Sequence, residues 1–298
     1  MTTATETAPA PTPTTLPGKR APSKFPVYLG VGLIALIWTV PSFGLFINSF
    51  RTPQAIRGTG WWTVFDEVFD SATWTVQNYT QVLEGGFGNA FINSLAVTVP
   101  SVVIPLTVAA FAAYAFAWMD FPGRQVIFAT VVGLLVVPLQ MALIPILRVY
   151  TNFELNSTYP AIWLAHTGFG LPLAVYLLRN YMGSLPSSLI ESAKIDGADH
   201  FKIFTRLVIP LSVPVLASFA IFQFLWVWND LLVALVFLGY NPAVKVLTVE
   251  LSDLAGRGEG ALSLLPAAAG VTMILPLVVF FSLQRFFVRG LTAGSVKG

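Results

Sequence analysis

The sequence contains no cysteine and only two histidines, His166 and His200. Without cysteine it can form no disulfide framework, no thiolate nucleophile and no cysteine–zinc site. The two histidines lie far apart in the chain and do not indicate a multi-histidine metal site. The P-loop, the Gly-x-Ser-x-Gly nucleophile elbow and the His-Glu-x-x-His zinc motif are also absent from the sequence. We therefore expect a chain that is not an enzyme, that binds no metal or cofactor, and that uses ATP only through a partner.

Charged residues are scarce as well. They make up 10% of the chain, whereas soluble domains carry roughly 25%. The net charge is only +2, so the chain has no basic footprint for nucleic acid. Apolar residues take their place, at 55%, and the mean hydropathy is +0.75. Most of the chain is therefore predicted to lie in a lipid membrane.

The N-terminal segment, residues 1–24, is rich in Thr, Ala and Pro and ends in basic residues. This composition cannot bury a core and predicts a disordered cytoplasmic tail. A basic segment before an apolar run also fits a signal peptide. The apolar run from Pro26 to about Asn48 is longer than a signal peptide requires, and it matches the ~20 residues that span a bilayer. We interpret it as an uncleaved first span.

Five more apolar segments follow, which predicts an all-α membrane domain over residues 25–298. These five segments are Phe91–Met119, Val126–Tyr150, Tyr159–Tyr181, Leu207–Leu238 and Leu264–Phe287. Together with the first span they make six predicted spans. Six spans place both termini on one side. If the N-terminus is cytoplasmic, the inner segments hold eleven of the 16 Lys and Arg residues, which is the orientation that the positive-inside rule favours.

A polar stretch separates the fourth and fifth predicted spans. Ser188 and Glu191 have the spacing of a capping box, which predicts a helix start. Gly197 is placed where a helix ends in a left-handed residue, and Asp199 can cap a second helix. The stretch is therefore predicted to form a helix, a glycine elbow and a second helix on the cytoplasmic side.

The same stretch, residues 188–210, resembles the EAA loop of ABC-importer permeases. That motif is Glu-Ala-Ala, three residues, Gly, nine residues and Ile-x-Leu-Pro; here it reads Glu191-Ser192-Ala193, then Gly197, then Leu207-Val208-Ile209-Pro210. The resemblance implies the six-helix, type-1 importer permease fold and a loop that docks on a separate ATPase subunit. The coupling residues that it implies are Glu191, Ser192, Ala193, Asp196, Gly197 and Pro210.

Five further motifs resemble the sugar-importer branch of these permeases, in the same order along the chain. They are Asn78-Tyr79, Asn93-Ser94-Leu95, Ala113-Tyr114-Ala115-Phe116, Phe121-Pro122-Gly123-Arg124 and Trp228-Asn229-Asp230. The resemblance is to the smaller permease of the maltose-transporter kind, with a core at about residues 90–288. It implies a multi-pass protein of the bacterial inner membrane. It also implies a second permease subunit, two ATPase subunits that use ATP and Mg, and an extracytoplasmic solute-binding protein.

Asp230 lies within an apolar stretch, where an ionisable residue suggests a function. Gln223, Trp226 and Asp230 share one helical face at spacings of three and seven, and with Asn229 they are our candidates for a substrate pathway or gate. A sugar-binding site needs hydrogen-bond partners for the sugar hydroxyls, which amides and carboxylates provide, and aromatic surfaces for the C–H faces. Alternatively, the helix breaks near Trp228 and leaves Asp230 at the membrane surface or capping a turn.

Three other features each allow two interpretations. The longest loop, from Ser49 to Asn89, is aromatic and acidic, which fits a membrane-surface belt or a docking surface for an external partner. Prolines inside the spans fit either helix packing or kinks along a pathway. His166 fits a packed side chain or a ligand. The neighbouring Gly168-Phe169-Gly170 suggests local flexibility in the fourth span.

Competing functions differ in what they require. An ion-coupled secondary transporter would need several acids within the membrane or broken-helix ion sites, and Asp230 alone qualifies. An intramembrane enzyme would need convergent catalytic groups, and a membrane scaffold would give no solute-dependent phenotype. Within the importer class, a polyol or glycerol-phosphate substrate is the alternative to a sugar. The absence of central Lys or Arg in the spans favours a neutral sugar.

Overall fold

The computed structural model describes residues 24–66 and 70–293, with side chains described as far as residue 284. The predicted disordered tail lies outside these residues apart from Lys24, and so do Glu67 and Phe69 of the long loop. Within the described residues the chain is helical, and the single bridge between extended residues joins Arg51 to Trp74. This agrees with the predicted all-α class.

The described residues form fourteen α-helices. They are α1 (Phe25–Ser49), α2 (Pro53–Gly58), α3 (Gln77–Val82), α4 (Gly88–Trp118), α5 (Arg124–Gly133), α6 (Leu139–Asn152), α7 (Tyr159–Gly183), α8 (Ser187–Ile195), α9 (His200–Ile203), α10 (Ile209–Leu211), α11 (Val213–Trp228), α12 (Leu232–Phe237), α13 (Leu247–Gly256) and α14 (Leu264–Ala293). Two π-helical turns, Leu83–Phe87 and Phe204–Val208, join α3 to α4 and α9 to α10.

Four stretches are long and apolar enough to cross a membrane as continuous helices. They are Phe25–Ser49, Gln77–Trp118, Tyr159–Gly183 and Leu264–Gln284. Two further spans are helix pairs bent at a short break, so the described chain holds up to six spans, as predicted. The third and fifth predicted spans are therefore not continuous helices.

The third span bends by 103° between Arg124–Val136 and Leu139–Asn152. At the break Val137 adopts an extended conformation, with ψ 117°, directly before Pro138. A residue that precedes proline is driven out of the helical region by the proline ring. The first helix therefore ends at this proline, whereas Pro145 is accommodated inside α6.

The fifth span is divided into three helices. His200–Leu211 meets Val213–Trp228 at 72°, with the break at Ser212, and α12 follows as a separate helix. The predicted 32-residue helix, Leu207–Leu238, would be about 48 Å long at 1.5 Å per residue, more than a bilayer core requires. The break after Trp228, which was the alternative interpretation, is the one observed.

The chain divides into two compact units between Phe43 and Gly44. The first unit contains most of α1, a helix with a mean hydropathy of 2.0 and no charged residue. In the second unit, α4 packs most extensively against α7, and α11 packs against α4 and α14. Three apolar clusters fill the spaces between these helices, centred on Met182, Phe237 and Trp228.

A buried amide and a buried hydroxyl join the beginning of α4 to the segment that precedes α13 through hydrogen bonds. The Asn93 side chain donates to the carbonyls of Ala243 and Lys245 at 3.2 and 3.0 Å, and it accepts from the Tyr159 hydroxyl at 2.7 Å. The Ser94 hydroxyl accepts from the backbone N–H of Leu247 at 2.8 Å. Because these partners are more than 60 residues away in the chain, one motif fixes three elements at this end of the bundle.

Candidate functional site

The predicted glycine elbow is present between α8 and α9. The N–H of Ala198 donates to the carbonyl of Ala193, and the N–H of Gly197 donates to that of Lys194, both at 3.0 Å. This pair of hydrogen bonds forms a Schellman motif, which requires a left-handed residue. Gly197 provides it with φ +77°, and a Cβ there would meet no atom within 4 Å. The glycine is therefore required by its backbone conformation and not by crowding.

The second helix of the elbow has the predicted cap. Asp199 is extended, with φ −75° and ψ 169°, and its Oδ1 accepts from the N–H of Lys202 at 2.8 Å. The Lys202 Nζ lies 3.6 Å from Oδ2 of the same carboxylate. The backbone hydrogen bond from Lys202 is the main reason that the pKa of Asp199 is lowered from its ordinary value.

The predicted capping box at the start of α8 was wrong. The helix begins at Ser187, its N-cap is Pro186, and no side chain makes a capping hydrogen bond. Pro186 has ψ 127°, which turns the chain into the helix earlier than the Ser188–Glu191 spacing predicted. Glu191 consequently lies on the exposed surface of the helix instead of reaching back to the cap.

The exposed face of the elbow carries most of the residues that the EAA resemblance singled out. Ile190 anchors α8 in the apolar cluster with 3% of its surface exposed, and Ala193 packs at the edge of that cluster. Ile195 is 85% exposed. The other exposed members of this face are Glu191, Ser192, Lys194 and Asp196. The elbow thus presents one projecting apolar side chain surrounded by charged and polar groups.

The elbow is joined to the membrane bundle by an aromatic and hydrogen-bonded contact. The Tyr114 hydroxyl, on α4, lies 2.9 Å from His200 Nδ1 on α9. The Phe204 ring packs 5.3 Å from that of Tyr114 and 4.7 Å from that of Phe111. Pro210 lies exposed on α10, just before the 72° bend. The elbow is therefore in direct contact with α4.

The candidate Gln223 lies wholly inside the bundle, with 0% of its surface exposed. Its Nε2 donates to the carbonyls of Ser101 on α4 and His166 on α7, at 3.2 and 3.3 Å. The Ser101 carbonyl lacks its usual helical donor because residue 105 is a proline without an N–H. Gln223 therefore replaces a missing backbone donor where three helices meet.

Asp230 caps α12. Its two carboxylate oxygens accept from the N–H groups of Val233 and Ala234 at 3.3 and 3.0 Å. Oδ2 lies 3.9 Å from His166 Nε2, too far for a hydrogen bond. The Thr248 hydroxyl donates to the Asp230 carbonyl at 2.6 Å. The capping interpretation of Asp230 is thus observed, and its role in a pathway or gate stays a prediction.

Trp226 is half-buried and packs edge-on against the His166 ring, with the ring centroids 5.2 Å apart. On its other side it lines an apolar groove of about 570 Å³ between α6 and α7, together with Tyr150, Phe169 and Pro172. Asn229 is exposed, and its amide donates back to the Leu225 carbonyl of its own helix at 2.7 Å. Of the four pathway candidates, Trp226 therefore faces the largest space.

A sequence profile of one family matches residues 90–293, which include the elbow, Gln223 and Asp230. Its description is "binding-protein-dependent transport system inner membrane component". The match covers more than half of the chain. The chain belongs to this family of ABC-importer permeases.

The permease is similar to proteins that are named for different substrates. It is 57% identical to the osmoprotective compounds uptake permease protein GgtD of Synechocystis sp., over 92% of each chain. It is 43% identical to the alpha-glucoside transport system permease protein AglG of Rhizobium meliloti, over 95% of this chain and 99% of that one. The similarity therefore extends over almost the whole length of both relatives.

One solved structure has the same fold as the permease. It is a bacterial ABC transporter involved in the import of the acidic polysaccharide alginate. The TM-score is 0.74 at 22% identity, over 91% of the permease and 100% of the matched chain. The permease thus has the type-1 ABC-importer fold and is a multi-pass membrane protein, with the two bent spans described above.

Two contacts of the permease site were not predicted from the sequence: the neighbours of His166 and the hydrogen bond to Ser101. Gln223 donates to the backbone carbonyl of His166, and Trp226 and Asp230 lie beside its ring. Neither ring nitrogen has a hydrogen-bond partner among the described residues. Ser101 accepts from Gln223, and a proline four positions after it was the available signal. The sequence singled out His166 as a packed side chain or a ligand, but it gave no signal for these three neighbours, because they do not lie on the same helix as the histidine.

Proposed function

We propose that the permease carries a neutral sugar across a bacterial inner membrane as one of two related membrane subunits. Two separate ATPase subunits would hydrolyse ATP with Mg, and an extracytoplasmic binding protein would deliver the solute. The observation that carries this proposal is the elbow. Gly197 at φ +77° holds a helix on which Ile195 is 85% exposed, beside charged residues. An exposed apolar side chain ringed by polar groups is typical of a protein-docking surface.

The contacts of the elbow suggest how ATPase motion would reach the solute pathway. Closure of the ATPase subunits would move α8 and α9 together, because the Schellman hydrogen bonds and the Asp199 cap hold them at a fixed angle. The Tyr114–His200 contact would pass the movement to α4. α4 packs along α7, whose groove is lined by Trp226, so the groove would change shape with the ATPase cycle.

The choice of a neutral sugar follows from the relatives and from the charges of the spans. Three relatives are named for the transport of alpha-glucosides, arabinooligosaccharides and trehalose. The groove beside Trp226 is lined by apolar and aromatic side chains, without Lys or Arg. Aromatic rings suit the C–H faces of a sugar, and an anionic solute would favour a basic lining. The second candidate is an osmoprotective solute, because the relative at 57% identity is named for the uptake of osmoprotective compounds.

The direct test is ATP-driven uptake by the purified complex. The tagged permease would be isolated with its co-purifying chains, reconstituted with ATP inside the vesicles, and given binding protein loaded with trehalose or maltose. We expect uptake that requires ATP and that survives an uncoupler. Uptake that collapses with the uncoupler at constant ATP would instead support an ion-coupled transporter. Uptake of glycine betaine in preference to both sugars would support the osmoprotectant candidate.

The docking role of the elbow has its own matched test. Ile195→Asp would place a charge on the projecting apolar residue of α8, whereas Phe153→Asp would place one on a residue 72% exposed at the end of α6. We expect the first variant to lose the ATPase subunit on purification and the second to keep it. Equal ATPase recovery with both variants would contradict the docking role.

A further inference from the structure

A pocket of about 260 Å³ lies at the end of the bundle opposite the elbow. Its wall contains Gly85 and Gly86 of the first π-helical turn, together with Asn89 at the beginning of α4. Lys245, Glu250 and Arg257 form the facing side. α4 has 31 residues between this pocket and the elbow end, which is about 46 Å at 1.5 Å per residue. The pocket therefore opens on the membrane side that the elbow does not face.

The charges of the pocket compensate one another. Lys245 Nζ lies 2.8 Å from Glu250 Oε2 and 3.6 Å from Asp253 Oδ2, and an Arg257 guanidinium nitrogen lies 3.2 Å from Asp253 Oδ2. The hydrogen bond to Glu250 raises the pKa of Lys245, and the one from Arg257 lowers the pKa of Asp253. Two basic and two acidic side chains are thus paired with one another. When Asp253, which lies beside the lining residues, is counted with them, the cluster has no formal net charge with which to select an ion.

The walls of the pocket are held in place. Gly86 has φ +112°, and a Cβ there would lie 3.5 Å from Glu250 Oε1. Asn93 fixes the backbone carbonyl of Lys245 at 3.0 Å, so the lysine is anchored to α4. Gly85, by contrast, has no atom within 4 Å of the position that its Cβ would take. The pocket is consequently a preformed space with one wall position that is free to accept a side chain.

We propose that this pocket binds one ring of a neutral, hydroxyl-rich solute as it enters the permease. The inference rests on the proposed function, since it names the substrate class for the same transport. Hydroxyl groups both donate and accept, and the pocket offers unused lysine and arginine N–H donors beside carboxylate acceptors. Asn89 is exposed, and its amide makes no hydrogen bond to another described residue. A volume of 260 Å³ is at the small end of ligand sites, which suits one ring.

The lining residues of the pocket argue against an osmoprotective solute of the quaternary ammonium class and against an anion. A quaternary ammonium osmolyte is bound by aromatic faces around its cation. The pocket contains no Phe, Tyr or Trp among its lining residues, and its apolar contribution comes from Ala90 and Pro242. An anion would meet Glu250, which is itself 7% exposed and paired. A polyhydroxylated neutral molecule is the class that matches every group present.

The test uses the complete purified complex in lipid nanodiscs, without binding protein. Saturation-transfer NMR would detect weak binding of trehalose and maltose, with glycine betaine and glucuronate as the zwitterionic and anionic probes. Gly85→Leu fills the pocket at the open wall position, and Asn89→Ala removes the free amide. The matched control is Gly58→Leu, because Gly58 at the end of α2 is equally open and has no left-handed conformation.

We expect signals from both neutral sugars and none from glycine betaine or glucuronate. Gly85→Leu should raise the dissociation constant for the sugar, titrated by this NMR signal, about tenfold, the effect of losing roughly 1.4 kcal/mol of binding, and Asn89→Ala should raise it less. Gly58→Leu should match the unaltered permease. ATPase stimulation by loaded binding protein should be the same in Gly58→Leu and in the unaltered permease.

Three results would overturn the proposal. One is the absence of any sugar signal from the unaltered complex, and another is a signal that Gly85→Leu and Asn89→Ala leave unchanged. The third is a loss of ATPase stimulation by binding protein in Gly85→Leu when the unaltered complex gives no sugar signal, which would make the pocket a protein-docking surface. Failure of the transport proposal is seen separately, as absent ATP-driven uptake, because the NMR measurement requires neither ATP nor binding protein.

Discussion

A methyl group added at Gly170 should disrupt the junction of α4, α7 and α11. A Cβ at this position would lie 2.6 Å from Gln223 Oε1 and 2.7 Å from its Nε2. Real Cβ atoms do not approach side-chain atoms so closely, so the amide of Gln223 has to move. It cannot move and keep its hydrogen bonds to the carbonyls of Ser101 and His166, which fix it from two sides.

The magnitude follows from what the movement breaks. Each of the two hydrogen bonds contributes about 1 kcal/mol net. The Ser101 carbonyl then has no donor, because Pro105 has no N–H, and a buried unsatisfied group costs roughly 1–3 kcal/mol. Alanine is a better helix former than glycine by about 1 kcal/mol, which offsets part of the loss. We expect Gly170→Ala to destabilise the permease by about 2–4 kcal/mol, or roughly 4–16 °C in apparent Tm.

The assay is thermal unfolding of the detergent-solubilised permease, followed by fluorescence-detected size exclusion. Gly168→Ala is the matched control, because it lies on the same helix and its Cβ would meet nothing within 4 Å. It should be unchanged or slightly stabilised. In a Gln223→Ala background, Gly170→Ala should have little further effect, since the clashing amide is gone. Equal Tm values for the two glycine variants, or additive losses in the double variant, would refute the reasoning.

Three more predictions concern the elbow. Gly197→Asn should retain most ATP-driven uptake, because asparagine tolerates the left-handed region, whereas Gly197→Pro should abolish uptake with normal membrane insertion. Tyr114→Phe removes the bond to His200 and should lower uptake about fivefold, with ATPase activity retained; equal losses of both activities would contradict it. The Asp199 pKa is lowered, so its cap is fully present above the ordinary value of 3.8 and is lost as the pH falls through the lower folded value. Exchange protection of the Lys202 amide, corrected for intrinsic rates, should fall in that range and not in Asp199→Asn.

The elbow was predictable from the sequence because its determinants are local. Gly197 and Asp199 each act within four residues of their own position, through a Schellman hydrogen bond and an N-cap. The one local error, the capping box at Ser188, arose from competition with Pro186. The proline fixes the entry of the chain, and the serine then lies two residues past the N-cap, too deep in the helix to act as its cap.

The bends of the spans were not predictable, because every span contains prolines and only some of them break a helix. Pro100 and Pro105 lie inside the continuous helix α4, and Pro172 lies inside α7. The break before Leu139, by contrast, coincides with Pro138. What decides the outcome at Pro105 is an amide from another helix, which takes the place of the missing backbone donor. That information belongs to the tertiary structure.

The pathway candidates show the same limit. Helical spacing placed Gln223, Trp226 and Asp230 on one face, but the helix ends at Trp228 and Asp230 belongs to the next turn. The three residues still converge, because all of them approach His166. The sequence therefore indicated which residues belong together, although the reason is a histidine on a neighbouring helix and not a common stripe.

α4 connects the two ends at which we propose that the permease meets its partners and its solute. Tyr114 contacts the elbow, and Asn93 holds the wall of the outer pocket, about 30 Å away along the same helix. A straight helix would transmit elbow movement to the pocket as a rigid rod. Pro105 interrupts the hydrogen-bond ladder between them, and the Gln223 amide restores the contact from outside the helix. The flexibility of α4 at this point is therefore set by Gln223, so a change there should alter coupling between ATPase and uptake as well as stability.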